Sequence, residues 1–115
     1  MGYRRAEPPE GVVVFFKIVK RPEASEPEYE ETDARMYEIV SGMPGFVSIK
    51  SFTAEDGERV SIVRFRSEQA LDAWRTLPEH RQAQARGRER WYDSYWIQVC
   101  QVIREYEWTR DAPPG

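Results

Sequence analysis

The apolar positions of this chain fall into short runs that alternate between a two-residue and a helical period. Residues 11–20 (GVVVFFKIVK) are β-branched and aromatic and apolar on both faces, which predicts a buried strand ended by Arg21-Pro22. Ser25-Glu26-Pro27-Glu28 has the form of a helix start: Ser25 caps, Glu28 completes a capping box, and proline is tolerated in the first turn. Tyr29, Met36, Ile39, Val40 and Met43 then share one face, until Gly42 and the Met43-Pro44-Gly45 turn stop the helix. Residues 46–53 and 59–66 read as two strands around the Asp56-Gly57 hairpin signal. In the second of these, Val60 and Ile62 share one face and Ser61, Val63 and Phe65 the other. Ser67-Glu68 opens a second helix through Leu77, with Leu71 and Trp74 inward. Pro78-Glu79 opens a third, which ends in Arg86, Gly87, Arg88 and Arg90, the charge order its dipole prefers.

The last stretch, residues 92–108, contains a β-like run over residues 94–106 that reads as one strand far longer than the usual five or six residues. One face offers Tyr95, Ile97, Val99 and Ile103, the other Trp96, Cys100, Val102, Tyr106 and Trp108. A single sheet with helices on one side covers only one such face, so a second copy of the chain is expected over the other. The order strand, helix, strand, strand, helix, helix, strand is a split βαβ. It predicts an α+β, ferredoxin-like domain with an antiparallel sheet over residues 11–108, and flexible ends at 1–10 and 109–115.

Composition narrows the function classes. A chain of 115 residues is one domain, and 32% charged residues of both signs beside 40% apolar ones suit a folded protein. The net charge of −3 argues against a nucleic-acid partner, although Arg81, Arg86, Arg88 and Arg90 cluster around Trp91 and Tyr92. Glu79 and Glu89 sit among them, so a cationic helix end or an anion pocket suits the cluster better. Cys100 is the only cysteine, which rules out an intrachain disulfide and a cysteine-built zinc site. With no apolar leader and no membrane-length apolar run, a cytoplasmic protein without a membrane partner is expected.

The candidate chemistry gathers in one window, Trp74 to Tyr92. His80 is the only histidine, and no other side chain here has an unperturbed pKa near neutrality. The Met43-Pro44-Gly45-Phe46 turn, Ser51-Phe52 before the Asp56-Gly57 hairpin, and Trp74…Pro78-Glu79-His80 before Gly87-Arg88…Tyr92, in this order of elements, resemble the antibiotic biosynthesis monooxygenase family of dimeric α/β barrels. The resemblance implies a homodimer joined through the sheet face and the long C-terminal strand. Some members of that family oxidise phenolic or anthrone-like aromatics with O2 and no cofactor, and others bind and degrade heme. In the quinone-forming type a second-helix Trp has an Asn four residues before it and a Tyr six after. Trp74 matches the Trp, while Ala70 and His80 stand at the other two positions. In the heme-degrading type a His follows the Trp by ten residues and an Asn lies in the first strand. Here Gln84 stands ten after Trp74, and residues 12–19 contain no Asn.

The expectation is a monooxygenase that oxidises a small aromatic substrate with O2 without a cofactor. His80 is the candidate base, and Trp74 the indole donor and pocket wall. Arg88, Tyr92 and Tyr95 are the candidate holders of an oxyanion, and Gln84, one turn after His80, the candidate to orient the imidazole. Each has a plainer use: Trp74 as core, Arg88 as a helix-end cation, Tyr92 and Tyr95 as interface aromatics. Two other functions use the same residues. One is a heme protein with His80 as iron ligand and the arginines pairing with propionates. The other is a non-catalytic dimer that binds a small apolar ligand or serves a pathway as an accessory protein.

Overall fold

In chain order the elements are β1 (Gly2–Arg5), β2 (Val12–Lys20), α1 (Glu26–Ser41), β3 (Phe46–Thr53), β4 (Arg59–Phe65), α2 (Glu68–Arg75), α3 (Pro78–Arg86), a π-helical turn (Gly87–Trp91), β5 (Tyr92–Gln101) and β6 (Tyr106–Thr109). They are seen in a computed structural model that describes residues 2–5, 11–22 and 26–110. Four strands form one antiparallel sheet in the order β3-β4-β2-β5, the ferredoxin-like α+β arrangement expected. β2 lies inside the sheet, between β4 and β5, and its residues Val12, Val14 and Ile18 are buried under the helices.

The register sorts the side chains by face. Val14 lies opposite Val63 and Val99, and Phe16 opposite Ser61 and Ile97, all on the helix side. Phe15 lies opposite Ile62 and Gln98, and Lys17 opposite Val60 and Trp96, on the outer side. Two turns make this register possible. Gly57 has φ +89 in the hairpin, where the Glu58 N–H donates to Asp56 Oδ1 at 2.9 Å. Gly45 has φ +83, and a Cβ there would fall 2.5 Å from the Ala70 Cβ, so only glycine lets the start of β3 pass this close to α2. The Ser67 Oγ caps α2 by accepting from the Ala70 N–H at 3.1 Å, a contact worth about 1 kcal/mol. Ser25, the expected cap of α1, lies outside the described residues, as do 6–10 and 111–115 of the expected flexible ends.

The core is divided. Val12, Val14, Val40, Val63, Phe65, Leu71 and Trp74 form one buried cluster, and Ile18, Tyr29 and Trp91 form another, with Phe16 and Tyr92 packed against it. The gap between the clusters is where the site lies.

The C-terminal run corrects the sequence reading. It is not one strand: β5 stops at Gln101, opposite Val12, where β2 itself begins and the sheet offers no further partner. The Val102 N–H still donates to the Gly11 carbonyl at 3.1 Å, and the chain then leaves the sheet, with Ile103 83% exposed. It pairs again as β6, antiparallel to β1, so residues 2–5, expected in a flexible end, are a strand. This two-stranded arm makes the molecule long, 51 × 32 × 21 Å, with a radius of gyration of 16.4 Å. A compact chain of this size has about 13 Å. Among the described residues no helix is long and apolar enough to cross a membrane.

Candidate functional site

The helix side of the sheet and the inner faces of α1, α2 and α3 enclose a cavity of about 410 Å³, within the size range of small-molecule sites. One wall comes from the first core cluster (Val14, Val63, Phe65, Leu71, Trp74) and the opposite wall from the second (Phe16, Tyr29, Trp91, Tyr92). Ile97 and Val99 of β5 line it from the sheet edge.

Trp74 and His80 stand at the corner between α2 and α3. Pro78 at the start of α3 turns the chain there, and Leu77 ends the preceding segment by donating its N–H to the Trp74 carbonyl at 3.1 Å. The turn lays the imidazole against the indole, with ring centroids 4.2 Å apart and planes tilted by 32°. Burial lowers the His80 pKa below its ordinary 6.5, and the Arg75 carbonyl, which favours the charged form, offsets only part of this. His80 is therefore neutral near pH 7 and can accept a proton. Gln84 also lines the cavity, but no hydrogen bond joins it to His80, whose Nδ1 is buried and without a partner.

Tyr92 stands on the other wall. Burial raises its pKa well above the usual phenol range, and the neighbouring Tyr29 and Asp33 push the same way while Arg59 opposes them. Its phenol therefore stays protonated and can donate a hydrogen bond. Gly87 makes room for the ring: a Cβ at Gly87 would fall 2.3 Å from the Tyr92 Cε2. Tyr95 is exposed beside this wall, 6.1 Å from Tyr92 and 6.0 Å from Phe16 between ring centroids. Arg88 is not brought to the site. The π-helical turn carries it, exposed, outside the cavity lining.

Sequence reasoning did not single out Asp33, and gave Tyr29 and Met36 a packing role only. All three line the cavity. Asp33 is held by the Arg59 guanidinium at 3.3 Å, and Arg59 also lies 5.6 Å from the Tyr29 ring centroid. The signal was present: Tyr29, Asp33, Met36 and Val40 follow the i, i+4, i+7, i+11 spacing of one helix face, with an acid interrupting an apolar stripe.

Two buried side-chain polar atoms among the described residues have no partner, His80 Nδ1 and Trp91 Nε1, and both belong to wall residues. Such a group costs about 1–3 kcal/mol, and one lies in each wall.

A family model described as "Antibiotic biosynthesis monooxygenase" matches residues 11–86. The chain is 32% identical over 99 residues to the uncharacterized protein YqjZ of Bacillus subtilis (strain 168), covering 86% of this chain and 84% of that protein. Its fold superposes on the structure of Rv0793 from Mycobacterium tuberculosis with a TM-score of 0.72 and 27% identity, over 83% of this chain and 97% of the other. It also matches SnoaB, a cofactor-independent oxygenase from Streptomyces nogalater. There the TM-score is 0.68 at 15% identity, over 90% of this chain and 99% of that one, a likeness of fold.

Proposed function

The chain belongs to the antibiotic biosynthesis monooxygenase family, and on that premise we propose that it oxidises a small aromatic substrate with O2, without a bound cofactor, in the cavity between sheet and helices. The observation that carries this reading is the Trp74–His80 pair, a neutral imidazole held against an indole on the wall of a mostly apolar cavity. Cofactor-free oxygenation needs a base, a donor for the developing oxyanion, and a dry place for an electron-rich ring. His80 takes the proton from the substrate, Trp74 walls the ring, and the protonated Tyr92 donates to the oxygen that gains charge. The resulting carbanion passes an electron to O2, the two radicals combine at carbon, and loss of water leaves a carbonyl. A ring CH2 and one O2 thus become C=O and H2O, with the substrate giving up four electrons and O2 taking four.

On this reading the cavity takes the aromatic substrate itself and no heme; Arg88, a candidate partner for a propionate, lies outside the cavity lining. Hemin is expected to give no saturable Soret band with the purified protein.

The working unit on this reading is a homodimer. On the outer sheet face Trp96 and Phe52 are 46% and 48% exposed, and the β1–β6 arm stands off the body. An isolated two-stranded ribbon is marginal in water, so both features are accounted for by a second copy.

The test is O2 uptake with a panel of hydroquinones and anthrones, run with wild type and His80→Ala. Uptake that depends on His80 is expected. Uptake unchanged in the variant, or absent across the panel, overturns the reading.

A further inference from the structure

The basic cluster of residues 81–90 is not used by the mechanism above, and the structure separates its members. Arg90 pairs with Glu28 at 2.7 Å. Arg86 and Arg88 are exposed and outside the cavity lining. Arg81, next to His80 on α3, is also exposed but lines the cavity.

Two carboxylates of α2 and α3 are already engaged elsewhere. Asp72 is held by Arg75 at 2.6 Å, and Glu79 by Arg35 at 3.5 Å. Arg75 is the other arginine of the lining, and Asp72 neutralises it. Among the described residues Arg81 is therefore the one lining arginine with no carboxylate partner. Among the described residues the only carboxylate of the lining is Asp33, which is paired with Arg59 at 3.3 Å near Tyr92, so the unpaired charge of the lining is the Arg81 guanidinium at the His80 end.

We infer that Arg81 is the anion-recognising residue of this cavity, and that its substrates are flat aromatic acids bound with the carboxylate on the Arg81 guanidinium and the ring between the two core clusters. A guanidinium matches a carboxylate through two parallel hydrogen bonds, and the apolar walls beside it reject a charged group left without a partner. The reversed orientation would leave the carboxylate beside the Asp33–Arg59 pair, where the guanidinium is already engaged. The acid group thus anchors the ring beside His80, with the far edge toward Tyr92. This assignment rests on the cavity being the substrate site, and it goes beyond the oxidation reading by naming the substrate class and the residue that selects it.

Equilibrium binding tests it without turnover. The affinities of 2-naphthoate and 2-naphthamide, equal in shape and different in charge, are measured by quenching of tryptophan fluorescence in wild type, Arg81→Gln, Arg81→Lys and Arg86→Gln. Wild type and Arg86→Gln are expected to prefer the acid by about tenfold or more. Arg81→Gln is expected to lose the preference while binding the amide as before, and Arg81→Lys to recover part of it. Added salt should weaken only the acid. Equal binding of acid and amide by wild type, or a preference that survives in Arg81→Gln, overturns the assignment and leaves the oxidation reading standing. Failure of wild type to bind either probe overturns the assignment and the cavity site together. An Arg81-dependent preference with no O2 uptake on any aromatic acid supports the assignment and sinks the oxidation reading alone.

Discussion

The His80 imidazole lies on the Trp74 indole at 4.2 Å between centroids, six residues away in sequence and across the corner of two helices. The contact fixes the plane of the only histidine and shuts it from water on one side. It turns an ordinary surface motif, Pro-Glu-His, into a wall of the cavity. His80→Gln is expected to keep the fold and lower kcat on an oxidisable aromatic by roughly 10²–10⁴-fold, the usual worth of a positioned base. Oxygen consumption under saturating substrate measures it, with circular dichroism to confirm the fold.

Because burial depresses the His80 pKa, the base is lost only at acidic pH. Activity is expected to be flat near neutrality and to fall with one apparent pKa below 6.5. Stability follows the same group. Unfolded, His80 titrates at about 6.5, so between that value and the lower folded one the unfolded chain binds more protons. The His80 contribution is therefore complete above pH 6.5 and is lost as pH falls through the folded pKa. Urea midpoints from pH 4.5 to 7.5 should show this slope in wild type and a smaller one in His80→Gln.

Gly87 is needed for space, since the Tyr92 ring occupies the place of its missing Cβ. Gly87→Ala is expected to destabilise the protein by about 1–3 kcal/mol, the usual cost of overpacking. It is also expected to move Tyr92 on the cavity wall and so weaken ligand binding. Chemical denaturation and naphthoate titration read the two effects. A Tyr92→Phe variant keeps the packing and loses only the hydrogen-bond donor, so it separates displacement from chemistry.

Trp96 stands on the outer sheet face opposite Lys17, 46% exposed and 5.1 Å from the Lys17 ammonium. If a second copy covers this face, Trp96→Glu removes the ring it would cover and adds a charge that must be desolvated beside Lys17. Light scattering is expected to show a dimer for wild type and a shift toward monomer for the variant. A wild-type monomer at micromolar concentration would remove the dimer from the reading.

Sequence patterns made most of the fold legible. The apolar run of β2 predicted a buried strand, Asp56-Gly57 a hairpin, Ser67 a cap and Pro78 a helix start, because each acts through its own backbone or its immediate neighbours. Trp74, His80, Gln84 and Tyr92 were named from one window, and the structure brings all four to the cavity wall. Arg88 was named from the same window and lies outside, because a π-helical turn shifts the direction of side chains that a regular helix would have carried round. The long C-terminal strand was misread for a related reason. Residues 101–106 look like strand to any local rule, but a strand lasts only while a neighbour pairs with it, and β2 begins at Val12.

By itself, then, the sequence determined what depends on periodicity and short-range chemistry: the order of elements from β2 to the start of β5, the split βαβ and the location of the only histidine. Tertiary structure decided what depends on which distant segments meet. It divided the core in two and left a cavity in the gap. It brought Asp33 of α1 and Arg59 of β4 to the Tyr92 wall, engaged Asp72 and Glu79 with other arginines, and left Arg81 without a carboxylate. No local pattern encodes those pairings, because ion pairs and cavities depend on packing between residues remote in sequence.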